Sequence, residues 1–267
     1  IEFIGGWLTN STAIMADAVH DLGDSLSIGL AWFLSYWSNK PASGNFSYGY
    51  RRFSLLGSLI NGMVLVAGSL WVLSEAIPRL QNPEMPVAEG MLGMAIFGIA
   101  VNGFAAYKLS GGKTLNERVL NWHLLEDVLG WVAVFIVSIV LMFVDWPILD
   151  PILSIGFTLF IAFNVFRNLW KTGLLFLQAV PDKKLHNQIA ETLKKLAGVK
   201  DVHHLHLWSL DGEHHVLTAH LALSHTMDLS HQLNLKQKIA DELDYFDLEH
   251  TTIEFEFEDE SCRDTLK

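Results

Sequence analysis

The chain has 267 residues, of which 51% are hydrophobic and 18% are charged, so its composition excludes an ordinary soluble protein. Its formal net charge of -11 argues against nucleic acid as a partner and is compatible with a surface that attracts cations. Cys262 is the single cysteine, which excludes an internal disulfide and a paired-cysteine metal site, so we expect any metal to be held by histidine and carboxylate side chains.

Charge is unevenly distributed along the chain, and this predicts two domains. Long uncharged runs dominate residues 1–178, whereas charged residues and histidines are dense in the remainder. Uncharged runs of about 20 residues are long enough to cross the roughly 30 Å of bilayer hydrocarbon as helices. We therefore predict a transmembrane domain over residues 1–178 and a soluble C-terminal domain over residues 179–267.

The apolar runs of the first domain predict six transmembrane helices, the first of them incomplete in this sequence. Residues 1–8 are expected to be the end of that first helix. Five complete spans are predicted at residues 12–37, 53–74, 91–107, 117–144 and 150–177. Pro78 is expected to close the second complete span, because proline interrupts helical hydrogen bonding. Lysine and arginine residues cluster in alternate loops and at the exit to the soluble domain, which predicts that this domain lies in the cytoplasm.

Two of these spans carry the same polar pattern. His20 and Asp24 in the first complete span, and His123 and Asp127 in the fourth, are separated by four positions, so each pair projects from one helical face. A charge at the centre of a bilayer costs about 2.5 to 3.5 kcal/mol, so such residues are candidates for a functional site. Asp17 lies on the same stripe as Asp24 and is expected to orient a ligand.

Together the two pairs offer two imidazoles and two carboxylates, a donor set that Zn²⁺ accepts in a tetrahedron. The alternative is that each pair is a structural contact, since a single match to so short a pattern is weak evidence. The repetition of the pattern in two apolar helices favours metal or proton handling. The same donor set also suits Co²⁺, Cd²⁺ or Ni²⁺.

The C-terminal domain is predicted to have the element order αββαβ. Apolar residues recur at helical spacing in residues 185–196 and 230–246, and strands are predicted at residues 202–210, 216–223 and 253–257, with a hairpin turn at residues 211–212. Seven of the twelve histidines lie between residues 203 and 225, so a metal site here is a candidate beside the alternative of solvated histidines. Strand alternation predicts that His204 and His206 share a face that excludes His203, so these three are not expected to bind one ion.

Five segments, in order along the chain, resemble the cation diffusion facilitator family in its zinc-transporting branch. They are residues 10–24 (NSTAIMADAVHDLGD), 48–52 (YGYRR), 123–127 (HLLED), 149–151 (LDP) and 203–208 (HHLHLW). The resemblance implies the fold class, an α-helical transmembrane bundle of six helices joined to an α+β cytoplasmic domain similar to a metallochaperone. It also implies a homodimer embedded in the lipid bilayer of a bacterial inner (plasma) membrane, which exports Zn²⁺ in exchange for protons and is not an enzyme.

The resemblance also implies particular site residues. A transport site is implied at His20, Asp24, His123 and Asp127. Ligands in the cytoplasmic domain are implied at His203, His220 and Glu256, with His231 as a further ligand.

The charges of the membrane site predict an exchange mechanism. Zinc binds ionised carboxylates and neutral imidazoles, so its binding competes with protons. Two ionised aspartates balance one Zn²⁺ or two protons, whereas the empty deprotonated site would carry two negative charges in low dielectric. We therefore expect a Zn²⁺/H⁺ antiporter that works by alternating access. The alternatives are a membrane-tethered metal sensor that does not transport, and an intramembrane zinc hydrolase, which the lack of an HExxH sequence disfavours.

Overall fold

The computed structural model describes residues 1–38, 40–111, 115–258 and 260–264, apart from the side chains of residues 31, 35 and 115–119. The N-terminal helices are α1 (Glu2–Thr9), α2 (Thr12–Ser38), α3 (Phe53–Gln81), α4 (Ala88–Leu109), α5 (Leu115–Phe143) and α6 (Leu149–Phe176). They are followed by α7 (Lys183–Lys194), β1 (Val199–Ser209), β2 (His215–Leu223), α8 (Leu229–Asp244) and β3 (Leu248–Glu256). The chain divides into two compact units, Ile1–Leu30 with Ile60–Leu169 and Ala31–Leu59 with Trp170–Lys267.

Among the described residues, four helices are long and apolar enough to cross a membrane. They are α3, α4, α5 from Leu120 onward, and α6. Large apolar side chains on three of them, Phe104, Leu129 and Phe163, are more than half exposed, as expected for side chains that face lipid. Helix α2 has 27 residues, which corresponds to about 40 Å at 1.5 Å per residue. It is not among the four, and three aspartates lie in its first half.

Helix α3 continues one turn beyond the point at which the sequence predicts its end. Pro78 lies inside α3, and its carbonyl oxygen accepts a hydrogen bond from Asn82 N at 3.1 Å. The prediction that Pro78 closes this span is therefore wrong. Proline removes one hydrogen bond, to the carbonyl of Ser74, and near the end of a long helix the remaining bonds are sufficient to carry the helix past it.

Close packing of α4 against α5 forms the core of the first unit. Trp131 of α5 is 1% exposed and lies against Gly98 of α4, where a Cβ atom would collide with the indole ring. Met91 and Ala95 of α4 and Ile14 of α2 belong to the same buried cluster. Glycine at position 98 thus leaves room for the Trp131 ring, so α5 packs closely against α4.

The second unit contains a three-stranded sheet in the order β1-β2-β3. Strand β1 is antiparallel to β2, and β3 is parallel to β2. Helices α7 and α8 pack on the sheet through buried apolar residues: Ile189 and Leu193 of α7, Leu207 of β1, Leu217 and Leu221 of β2, and Leu235 and Ile239 of α8. The predicted order αββαβ is confirmed.

The loop between α2 and α3 contacts the sheet domain within the second unit. Arg51 Nη2 lies 2.9 Å from Glu249 Oε1, and Arg51 Nη1 lies 3.9 Å from Asp211 Oδ2. The ring of Tyr48 stands edge-on to the ring of His250, with 5.2 Å between centroids. These contacts fix residues 48–51 to the turn after β1 and to the first half of β3.

Candidate metal centres

A first candidate centre lies between α2 and α5 in the first unit. His123 Nε2 is 2.8 Å from Asp24 Oδ2 and 3.8 Å from Asp127 Oδ2. His20 Nε2 is 3.5 Å from Asp24 Oδ2. One donor atom from each of His20, Asp24 and His123 lies within 4.8 Å of the other two. The structure thus brings three of the four predicted residues into one group, and Asp127 lies beside His123 of that group.

Helical spacing and core packing both position this site. In each pair the aspartate follows the histidine by one turn, so both side chains project toward the facing helix. Trp131 follows Asp127 by one further turn on the same face of α5 and is fixed against Gly98 of α4. The core contact of α5 therefore sets the rotation at which His123 and Asp127 face α2.

The four side chains differ in their exposure. Asp127 is 8% exposed, whereas His20, Asp24 and His123 are 22%, 28% and 33% exposed. His20 Nδ1 is buried and has no hydrogen-bond partner among the described residues. A carboxylate as buried as Asp127 requires a nearby cation or a proton, because the charged form alone is poorly solvated there. The site is accordingly suited to hold either a divalent cation or protons.

Asp17 lies in a different group of side chains. One oxygen atom from each of Glu2, Asp17 and Asp21 lies within 4.8 Å of the other two. The described contacts of His20 and Asp24 are with each other and with His123. The described group of Asp17 is therefore separate from that of His20, Asp24 and His123, and its expected role in orienting a ligand stays a prediction.

A second candidate centre lies in the sheet domain. It combines His203 of β1, His220 of β2, Glu256 at the end of β3, and Cys262, with one donor atom from each within 4.8 Å of the others. His220 Nδ1 is 2.8 Å from Glu256 Oε1, and His203 Nε2 is 2.9 Å from Glu256 Oε2. Cys262 Sγ is 3.6 Å from His220 Nδ1. Nitrogen, oxygen and sulfur donors in this number fit a four-coordinate zinc site.

Sheet register accounts for the pairing of the two histidines. His203 of β1 and His220 of β2 are direct partners across the antiparallel ladder. The ladder is irregular between His203 and His206, and His204 has a φ of 47°. The centroid of the His204 ring consequently lies 5.3 Å from the ring centroid of His203 and 5.1 Å from that of His220. The prediction that strand alternation separates His203 from His204 is wrong, because a bulge interrupts the alternation.

Cys262 is the residue of this centre that the sequence analysis missed. It follows β3 in a segment without helical or strand periodicity, so only the path of the chain brings its sulfur atom to His220. The hydrogen bond with Glu256, followed by burial, raises the pKa of the Cys262 thiol above its ordinary value. The expectation that only histidine and carboxylate groups could hold a metal is therefore corrected.

The carboxylate of Glu256 is stabilised in its ionised form. Burial alone would raise the pKa of Glu256, but hydrogen bonds from Cys262, His220 and His203 outweigh it and lower the pKa below its ordinary value. Glu256 is only 6% exposed. Its negative charge is one that a metal cation at this centre would neutralise.

His231 lies apart from this centre. Its ring is 71% exposed, and His231 Nδ1 is 2.7 Å from Asp228 Oδ1 at the start of α8. The structure does not group His231 with His203, His220 or Glu256. The structure does not place His231 with the other predicted ligands of this domain, because His231 lies in the capping turn at the start of α8.

Long apolar helices, groups of donor side chains that could hold a metal, and a small α+β domain together define a class of protein. It is an integral membrane protein with groups of side chains that could hold metal cations.

Comparison with known proteins identifies the family. Residues 1–177 match the family model described as the cation efflux transmembrane domain, and residues 181–258 match the model described as the cation efflux protein, cytoplasmic domain. The chain therefore belongs to the cation efflux family, also called the cation diffusion facilitators. The α-helical transmembrane bundle with a C-terminal α+β domain is the architecture predicted from the sequence, and it is confirmed.

Bacterial relatives match over nearly the whole chain. A cadmium, cobalt and zinc/H(+)-K(+) antiporter of Bacillus subtilis is 35% identical, covering 97% of this chain and 84% of the relative. The zinc transporter ZitB of Escherichia coli is 31% identical, covering 97% of this chain and 83% of the relative. The metal cation efflux system protein CzcD of Cupriavidus metallidurans is 29% identical, with coverage of 96% and 81%. The predicted function as a divalent metal cation efflux transporter is confirmed at this level.

Proposed function

We propose that this chain is a Zn²⁺/H⁺ antiporter that exports zinc from the cytoplasm by alternating access. The observation that carries the proposal is the meeting of two histidine and aspartate pairs on α2 and α5, where His123 Nε2 lies 2.8 Å from Asp24 Oδ2. His20, Asp24, His123 and Asp127 are the proposed ligands of the transported ion. Two imidazoles and two carboxylates suit zinc in a tetrahedral site.

Charge balance supports the exchange of zinc for protons. With both aspartates ionised and both histidines neutral, the site balances the two positive charges of Zn²⁺. Two protons restore the same balance after zinc has left, whereas the empty deprotonated site is disfavoured in low dielectric. Zinc would enter from the cytoplasm in one conformation, and protons from the opposite side would displace it in the other.

In this proposal the C-terminal domain holds a regulatory zinc site and takes part in dimerisation. We assign the transmembrane domain to residues 1–178 and the cytoplasmic domain to residues 179–267. His203, His220, Glu256 and Cys262 are the proposed ligands of a resident zinc ion in this domain. We include a homodimer in the bacterial inner membrane in this proposal. Placement of the basic loops and of this domain in the cytoplasm agrees with the alternation of basic loops along the sequence.

A broader substrate range is a second candidate. The relative from Bacillus subtilis is named for cadmium and cobalt as well as zinc. Nitrogen and oxygen donors at the membrane site also suit these ions, since affinity alone does not select among them. Competition of Cd²⁺ and Co²⁺ with zinc for uptake would distinguish this candidate from a zinc-selective transporter.

Zinc flux into proteoliposomes tests the proposal. We expect zinc uptake by the wild-type protein to increase when the vesicle interior is more acidic than the exterior. His123→Ala should reduce uptake to the level of vesicles without protein, because it removes one of the four donors. His225→Ala is a matched control, since His225 is exposed and its described contact is with Ser224.

Three results would contradict the proposal. Uptake that does not respond to an imposed pH gradient excludes proton exchange. Uptake by His123→Ala equal to that of the wild-type protein places the transported ion elsewhere, and zinc binding without any flux favours the sensor.

A further inference from the structure

A buried carboxylate at the start of α6 binds the first turn of α2. Asp150 is 1% exposed. Asp150 Oδ1 accepts hydrogen bonds from Ser11 Oγ at 2.5 Å and from Ala13 N at 3.3 Å. Asp150 Oδ2 accepts from Thr12 N at 2.7 Å and from Thr12 Oγ1 at 2.8 Å. Ser154, one turn further along α6, donates from Oγ to Thr12 O at 3.0 Å.

These bonds satisfy donors that a helix cannot satisfy by itself. The first N–H groups of an α-helix have no partner within the helix, and the helix dipole favours a negative charge at that end. In α2 the partner is a carboxylate from α6, more than 130 residues away along the chain, with sequence separations of 137 to 139 residues. A buried carboxylate with this many donors costs much less than an unpaired one and is held in one geometry.

The bonds at Asp150 also connect α2 to the end of α5 through the start of α6. Along α2, the eight steps from Thr12 to His20 span about 12 Å. Along α5, the residues from Asp127 to Phe143 span about 24 Å. Leu141, near the end of α5, belongs to the same buried cluster as Ile14 near the start of α2, so both helices run from the site toward that end. Residues 144–148 then connect α5 to α6, where Asp150 returns the chain to α2. The two ligand-bearing helices are thus connected at one end by the metal site and at the other end by Asp150.

We infer that Asp150 is a positioning residue for the membrane site, which sets the depth and rotation of α2 relative to α5. This inference rests on the proposed transport site. Metal binding tolerates errors of only about 0.2 Å in ligand distance, so a small slide of α2 against α5 separates His20 and Asp24 from His123. Without the carboxylate, the two pairs meet less often in the geometry of a four-coordinate ion, and both affinity and discrimination between metals fall.

Variants at the helix junction test this inference in proteoliposomes. The zinc concentration that gives half-maximal uptake and the ratio of zinc to cadmium uptake are measured for each variant. Asp150→Ala should raise the half-maximal concentration, by less than the about 10- to 100-fold that loss of a direct partner of a metal ligand causes, and should bring the zinc to cadmium ratio toward one. Asp150→Asn keeps one acceptor oxygen and should fall between Asp150→Ala and the wild-type protein. Asp145→Asn, an exposed carboxylate in the same connection, is the matched control.

A separate variant keeps the inference testable if Asp150→Ala does not fold. Thr12→Val preserves shape and removes the Oγ1 donor, and it should shift the half-maximal concentration in the same direction as Asp150→Asn. The combined effect of Thr12→Val and Asp150→Asn should be smaller than the sum of their separate effects, because both alter the contact between residues 12 and 150.

The inference is overturned if the folded Asp150 variants lose thermal stability but retain the wild-type half-maximal concentration and metal ratio. In that case Asp150 stabilises the helix junction without positioning the ligands. Wild-type uptake in the same assay distinguishes this outcome from a failure of the proposed function, because a wild-type protein without flux would refute transport itself.

Discussion

Single side chains determine the chemistry of the candidate centre in the sheet domain, and Cys262 changes it most. A thiolate is a stronger zinc ligand than a carboxylate oxygen or a water molecule in a small tetrahedral site. The raised pKa of the Cys262 thiol means that zinc must displace a proton from sulfur when it binds. Zinc affinity at this centre should therefore increase as the pH rises toward neutrality and above.

Replacement of the thiol should weaken this centre selectively. We expect Cys262→Ser to lower zinc affinity by at least about tenfold, or about 1.4 kcal/mol, when the membrane site is disabled by His123→Ala. Competition with a chromophoric chelator measures this affinity. His231→Ala should leave it unchanged, because His231 is bonded to Asp228 outside the centre. Equal losses in both variants would place the zinc ligands differently.

At the scale of a single element, α8 depends on a charged cap at its start. Asp228 Oδ1 accepts hydrogen bonds from His231 N at 2.8 Å and from Ser230 Oγ at 2.8 Å. The backbone N–H of His231, and after it the side chains of His231 and Ser230, lower the pKa of Asp228 to about 2. The folded-state pKa lies below the ordinary value of about 3.9. The stabilisation is therefore complete above about pH 4 and is lost as the pH falls through about 2.

Removal of this charge should make the stability of α8 less dependent on pH in acid. In Asp228→Asn the side chain still caps the helix but no longer titrates, so protection of α8 should change less between about pH 4 and pH 2. Hydrogen exchange of the α8 amides in the full-length protein, corrected for intrinsic rates, measures the effect. Glu242→Gln on the same helix serves as the control. An identical pH response in Asp228→Asn and the wild-type protein would show that another group titrates.

At the scale of the whole molecule, zinc should act as a cross-link within the sheet domain. The proposed ligands come from β1, β2 and β3 and from the segment after β3, so one ion connects four parts of the chain. A ligand that binds the folded state alone stabilises it by about 2.7 kcal/mol at a concentration of about 100 times its Kd. In a His123→Ala background, zinc should raise the Tm of this domain, and a chelator should reverse the change.

The predicted rise in Tm has an internal control. His220→Ala removes the histidine that contacts both Glu256 and Cys262, so zinc should no longer raise the Tm in that variant. A rise that persists in His220→Ala would mean that zinc stabilises the domain through other histidines. A wild-type domain that does not respond to zinc would argue against a resident ion.

Local spacing in the sequence was sufficient to predict many features of this protein. Long apolar runs predict the membrane helices, because about 20 apolar residues in a helix match the thickness of a bilayer. The four-residue spacing of His20 and Asp24, and of His123 and Asp127, predicts that each pair shares a helical face. Alternation and turn residues predict the αββαβ order of the C-terminal domain. Each of these features depends on residues that lie within one element.

Only the tertiary structure showed which side chains of different elements contact each other. It brought the thiol of Cys262 to His220, placed His231 away from the centre, and drew His204 toward His203 through a bulge. It also joined Asp150 to the start of α2 across 138 residues of sequence. Periodicity along a chain determines which face a side chain occupies, whereas the partner on that face is chosen by the packing of distant segments, which no local pattern records.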